Sequence, residues 1–100
     1  IINISSGAGK TGFANLSVYC ASKFGVIGMT ESLAEEVSDF GIKVFSVCPG
    51  AVATQMQKEF MSNEEFERRK NQMIQPEEVA QRVLQLVKGK FRTGTSIDIH

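Results

Sequence analysis

The chain lacks a charge excess of either sign: eleven Lys and Arg balance eleven Asp and Glu. Without a basic excess there is no electrostatic footprint for nucleic acid and no polybasic surface for a membrane. No apolar run approaches the roughly 18 residues that span a bilayer. No basic stretch followed by an apolar one marks a secretory signal. Cysteine is scarce, and Cys20 and Cys48 have neither zinc-knuckle nor CxxC spacing. They read as buried free thiols in a reducing compartment, so a cytoplasmic location is expected. In that setting the N-glycosylation matches Asn3-Ile4-Ser5 and Asn15-Leu16-Ser17 are chance matches. The one histidine, His100, is read as a segment boundary, not a ligand.

What is present is an ordinary globular composition over 100 residues, enough for one small domain. Ile1 to Ser5 is short, β-branched and apolar, and predicts a strand ending at the turn Ser6-Gly7-Ala8-Gly9. After a loop, Ser17 is the expected N-cap of a helix running to about Phe40, with Gly41 as its stop. Val18, Phe24, Ile27, Leu33, Ala34 and Val37 are its expected buried positions, and Gly25 and Gly28 suggest close packing of another element. Ile42 to Cys48 predicts a second strand, cut off by Pro49-Gly50. Ser62-Asn63-Glu64-Glu65 reads as a capping box opening a polar helix to about Gln72, on which Glu67 to Lys70 form a solvated face. Pro76 begins a further helix with an apolar face of Val79, Val83, Leu84 and Val87, ended by Gly89. Thr95 to Ile99 is the last strand. The order β-α-β-α-α-β, with nearly continuous apolar strands, predicts an α/β fold: a partial, doubly wound, Rossmann-like parallel sheet of about three strands.

The chemistry gathers around Tyr19-Cys20-Ala21-Ser22-Lys23. Tyr19 and Lys23 stand at i and i+4 and share one helical face. An ammonium beside a phenol favours the phenolate and suits the pair to proton transfer. A serine hydroxyl from a neighbouring strand end could hold a carbonyl oxygen next to that phenol. Such a proton-transfer site needs neither metal nor histidine. Ser6 stands thirteen positions before Tyr19, although Ser5 and Ser6 are equally suited by residue type alone.

The runs I-I-N-I-S-S-G-A-G, Y-C-A-S-K and V-C-P-G-A-V-A-T, in this order and spacing, resemble the short-chain dehydrogenase/reductase family. The resemblance extends from Ile1 to about Ile99 and is strongest over Asn3 to Thr54. It implies an NAD(P)-dependent oxidoreductase interconverting a secondary alcohol and a carbonyl. By that resemblance Tyr19 is the general acid or base and Ser6 holds the substrate oxygen. Lys23 tunes Tyr19 and bonds the nicotinamide ribose, Pro49, Gly50, Val52 and Thr54 line the nicotinamide, and Tyr19 counts among both the cofactor-binding and the substrate-binding residues. The implied cofactor is NAD or NADP, with NADP slightly favoured on family frequency alone. The implied partners are a small carbonyl or alcohol substrate and, at full length, further copies in a homodimer or homotetramer. Met56, Phe60, Met61 and Phe66 form either an apolar lid over the substrate or ordinary core.

Gly7-Ala8-Gly9-Lys10-Thr11 has a competing reading as a phosphate-binding loop. That motif needs a glycine five positions before Gly9, where this chain has Ile4. The glycine-rich dinucleotide fingerprint is absent, as is the catalytic asparagine that the family carries upstream. Residues 1–100 are therefore expected to be one partial domain, the C-terminal catalytic half of a larger fold, inactive alone. The alternative is a non-catalytic α/β scaffold or interaction module.

Overall fold

The computed structural model describes residues 1–53, 55–59 and 61–100, the side chains of Gln55 and Met56 excepted. Its sheet has three strands, β1 (Ile2–Ile4), β2 (Phe45–Pro49) and β3 (Ser96–Ile99), in the order β1-β2-β3 and parallel throughout. Helix α1 (Ser17–Glu36) connects β1 to β2, and α2 (Gln55–Glu59), α3 (Asn63–Arg69) and α4 (Pro76–Lys88) connect β2 to β3. This is the expected open parallel α/β sheet, with the short α2 added where the sequence predicts only a loop.

Register gives the two sheet faces different characters. Ile2 aligns with Phe45, and Ile4 with Val47 and Ile97, while the alternate row aligns Asn3, Ser46 and Ser96. On the apolar face Phe45, Val47 and Ile99 pack with Ile74 and Leu86, flanked by Val52, Val79 and Val83. The opposite row is small and polar, contrary to the expectation of nearly continuous apolar strands. Ser46 is buried and Asn3 and Ser96 are half-buried, and all three are bonded: Asn3 Nδ2 donates to Thr30 Oγ1 at 3.0 Å, and the Ser46 and Ser96 hydroxyls share a bond. Thr30 and Ser46 are fully buried, so α1 covers this face through directional contacts.

Several boundaries differ from expectation. Leu16, not Ser17, occupies the N-cap of α1 and provides no side-chain cap; Asn15 just before it takes φ 68°. The helix stops at Glu36, and a 3₁₀ turn over Ser38–Phe40 follows, where the Ser38 hydroxyl bonds the Glu35 carbonyl. Gly41 then reverses the chain in the left-handed region at φ 71°. β2 begins only at Phe45, because the Val44 N–H is taken by Thr93 Oγ1 at 2.9 Å. On α1, Val18 and Phe24 are exposed while Cys20, Thr30 and Ala34 are buried. Among the described residues, a Cβ at Gly25 or Gly28 would meet nothing within 4 Å, so none of them packs closely there.

Ser62 caps α3 through the Glu65 N–H at 3.1 Å. A reciprocal capping box, Gln75 with Glu78, opens α4. On α4 the buried residue is Leu86, whereas Leu84 is 53% and Val87 66% exposed. The expected face was therefore displaced: Val79 and Val83 keep their place, and Leu86 replaces the other two. Accordingly, Leu86→Ala should destabilise by about 2–5 kcal/mol, and Leu84→Ala by no more than about 0.5 kcal/mol. Urea unfolding of the two variants distinguishes this assignment from the reverse ranking.

Candidate active site

Parallel neighbours end on the same side, so the residues following β1 and β2 emerge together at one sheet edge. In open α/β sheets this carboxyl edge is where ligands bind. Beyond β1 come Ser5 and Ser6, and beyond β2 comes Gly50.

The two serines are not equivalent. Ser5 is buried; its N–H donates to the Val47 carbonyl at 2.7 Å and its hydroxyl to the Lys23 carbonyl at 2.9 Å. Ser6 is half-buried and caps a 3₁₀ turn over Gly7–Gly9, its Oγ accepting from the Ala8 N–H at 3.1 Å. Among the described residues the Ser6 hydroxyl donates to nothing, so its hydrogen is free to meet an incoming oxygen. The spacing that selects Ser6 by resemblance thus coincides with the serine whose proton is uncommitted.

Gly9 folds under α1 where no side chain fits. A Cβ there would overlap Ser5 Oγ and lie 2.9 Å from both the Lys23 carbonyl and Ile27. After this turn comes an exposed loop, and α1 begins only at Ser17. The turn therefore does not open directly into a helix N-terminus, as a phosphate loop does. Lys10 is instead paired with Asp98 at 2.8 Å, linking the turn to β3 across the sheet.

Tyr19 and Lys23 lie one turn apart at the N-terminal end of α1, and the Lys23 ammonium stands 5.7 Å from the Tyr19 ring centre. The same ammonium reaches the Ile4 carbonyl at 3.5 Å, tying the pair to the end of β1. Tyr19 is 43% exposed, and among the described residues its hydroxyl has no hydrogen-bond partner. A phenol so placed can give or take a proton from a molecule arriving at this edge.

Pro49 ends β2 and is buried, while Gly50 is exposed and donates its N–H to the Ile99 carbonyl at 3.0 Å. Val52 forms a parallel bridge with Ile74, through Ile74 N–H to the Ala51 carbonyl and Ala53 N–H to the Ile74 carbonyl, both at 2.9 Å. Those bonds direct the Ala51 and Ala53 groups towards Ile74 and the N–H and C=O of Val52 the other way. Among the described residues nothing engages that donor–acceptor pair. A primary carboxamide, with one carbonyl and one amino group, has the complementary chemistry, so this segment fits the amide end of a nicotinamide. Thr54, Phe60 and the Met56 side chain lie outside the described residues; Met61 and Phe66 are half-buried.

In sequence and in fold the chain is similar to known proteins. A family model described as short chain dehydrogenase matches residues 1–65. Carbonyl reductase family member 4 of Xenopus laevis is 41% identical over 100 residues, which cover 94% of this chain and 40% of that protein. The chain thus spans less than half the length of this relative. Among solved structures, 4-hydroxyisoleucine dehydrogenase complexed with NADH superposes with a TM-score of 0.84 at 28% identity, over 99% of this chain and 44% of that one. ElxO with NADP bound superposes with a TM-score of 0.81 at 30% identity, again over 99% and 44%.

Cys48, just before Pro49, is 2% exposed. Burial pushes its thiol above the ordinary range, opposed by the Lys10 ammonium and the Ser46 hydroxyl, while the Asp98 carboxylate adds to the rise. A raised folded-state value means that folding favours the neutral thiol. Its contribution is complete below the unfolded thiol's value, near ~8.5, and is lost as pH climbs towards the folded value. Melting curves across the alkaline range should therefore fall more steeply for the parent than for Cys48→Ala. Equal slopes would mean that Cys48 ionises as freely folded as unfolded.

Proposed function

The chain belongs to the short chain dehydrogenase family, and from that premise we propose that it forms the catalytic half of an NAD(P)-dependent oxidoreductase interconverting a secondary alcohol and a ketone. What supports this reading is that the Lys23 ammonium, beside the Tyr19 ring, reaches the Ile4 carbonyl at the end of β1, two residues before Ser6, whose hydroxyl donates to nothing among the described residues.

In the reductive direction Ser6 donates a hydrogen bond to the carbonyl oxygen, polarising it and stabilising the charge that grows on it. Tyr19 gives its phenolic proton to that oxygen as the alcohol forms, and in oxidation takes the proton back. Lys23, beside the phenol, balances the negative charge left on Tyr19 after transfer. A bound nicotinamide supplies or accepts the hydride. The main-chain N–H and C=O of Val52 would hold its carboxamide, with Pro49 and Gly50 shaping the floor, Thr54 a further contact, and Lys23 reaching the ribose. NAD and NADP both suit these residues, because the groups that separate them bind the far end of the dinucleotide.

The substrate class is a small secondary alcohol or its ketone. The open face of α1, with Gly25, Gly28, Phe24 and Met29 uncovered, suits the side-by-side packing of two copies, as a homodimer or within a homotetramer.

In the complete protein carrying this chain, Tyr19→Phe should lower kcat by about 10²–10⁴-fold, the usual range for a general acid–base group, with fold and dinucleotide binding retained. Unchanged turnover in a carbonyl-reduction assay would sink the proton-transfer role and favour the non-catalytic scaffold. Residues 1–100 alone should bind dinucleotide weakly and reduce no carbonyl substrate at a useful rate. Tight binding with robust reduction, followed by the loss of nicotinamide absorbance, would overturn the half-domain reading.

A further inference from the structure

Ser5 has no part in the chemistry above, yet it occupies a close junction between β1, the Ser6 turn and α1. It is 3% exposed, and its hydroxyl donates to the main-chain carbonyl of Lys23 at 2.9 Å, eighteen residues away. A carbonyl has two lone pairs, so Lys23 can accept this bond beside its helical one. Gly9 closes the junction from the turn, since a Cβ there would collide with Ser5 Oγ and with the same Lys23 carbonyl. The Ser5 N–H donates to the Val47 carbonyl of β2 at 2.7 Å. One hydroxyl therefore joins β1, the Ser6 turn and α1, with β2 alongside.

We infer that Ser5 is a positioning residue, which fixes the Tyr19–Lys23 turn of α1 against the Ser6 hydroxyl; this rests on the reaction proposed above. The path between the two halves of the site is short. Ser6 is covalently next to Ser5, and Ser5 is bonded to the backbone of the residue carrying the ammonium. Ile4, Ser5 and Ser6 present three consecutive oxygens to this region. The Ile4 carbonyl receives the Lys23 ammonium, Ser5 clamps the Lys23 carbonyl, and Ser6 is left for substrate. Apolar contacts alone would let α1 slide along the strand, because dispersion and burial change little over a fraction of an ångström. A buried hydrogen bond does not tolerate that slide, since its energy falls steeply with distance and angle.

The consequence concerns alignment, not affinity. Ser5 touches neither substrate nor cofactor, so its loss should leave ground-state binding nearly intact. The simultaneous approach of Ser6 and Tyr19 to one oxygen should be impaired, and misplacement of about 1 Å can cost on the order of 10²-fold.

The test is steady-state kinetics of Ser5→Ala in the complete protein, beside Tyr19→Phe and with melting temperatures recorded. The expected result is a folded Ser5→Ala variant with kcat reduced about 10- to 100-fold and both KM values within about twofold of the parent. Ser5→Thr, which keeps the hydroxyl, should recover most of kcat. In an isotope-labelled sample, the Lys23 carbonyl ¹³C resonance should move in Ser5→Ala and return in Ser5→Thr. Parental kcat in Ser5→Ala beside an inactive Tyr19→Phe would overturn the positioning role alone, whereas an active Tyr19→Phe would overturn the reaction itself. Equal losses in kcat and melting temperature that Ser5→Thr does not reverse would also overturn it, by showing a merely structural serine. Should Ser5→Ala not fold, Ser5→Cys fills the site with a poorer donor, and the same kcat and KM criteria decide.

Discussion

The hydrogen bonding of α1 onto the polar face of β1 is the constraint on which the rest depends. Parallel strands must be linked by a crossover, and here that crossover carries Tyr19 and Lys23. An apolar seam would hold the helix down without fixing its position along the strand. Instead Asn3 engages Thr30 near one end of the contact, and Ser5 engages the Lys23 carbonyl near the other. Two buried polar ties, separated along the helix, set both its height and its slide. Each must be kept, because a buried polar group left without a partner costs more than the bond itself contributes.

The opposite face has a different task. There Phe45, Val47, Ile74, Leu86 and Ile99 form a buried apolar cluster. Stability and registration are thus divided between the faces of one thin sheet, which alternate along every strand by the two-residue period of the pleat. Val52 and Ile74 extend the division beyond β2. Their bridge anchors the segment after Pro49 to the apolar side and turns the Val52 donor–acceptor pair away from Ile74.

Much of the site was legible because it is local. Tyr19 and Lys23 share a face by helical periodicity, and Pro49-Gly50 announces the end of a strand. The family follows from the spacing of those landmarks, and the matches over residues 1–65 agree. Other features were not legible. Leu84 and Leu86 are the same residue type two positions apart, and only the docking angle of α4 buries the second. Gly25 and Gly28 resemble a packing stripe, yet none of the described residues comes within 4 Å of where a Cβ would stand. Leu16 caps α1 without a capping side chain while Ser17 sits inside the helix, against local preference.

The tandem serines mark the boundary between the two kinds of information. By itself the sequence determined the family, through residue types at helical and strand-end spacings, since those spacings are properties of the backbone. It could not say which serine was free, because the two differ in neither chemistry nor neighbourhood along the chain. Only the tertiary structure separated them, by bringing the Lys23 carbonyl from eighteen residues away against Ser5 and leaving the Ser6 proton unused. A hydroxyl's role is decided by which acceptor lies within 3 Å or so, and that acceptor is delivered by the fold.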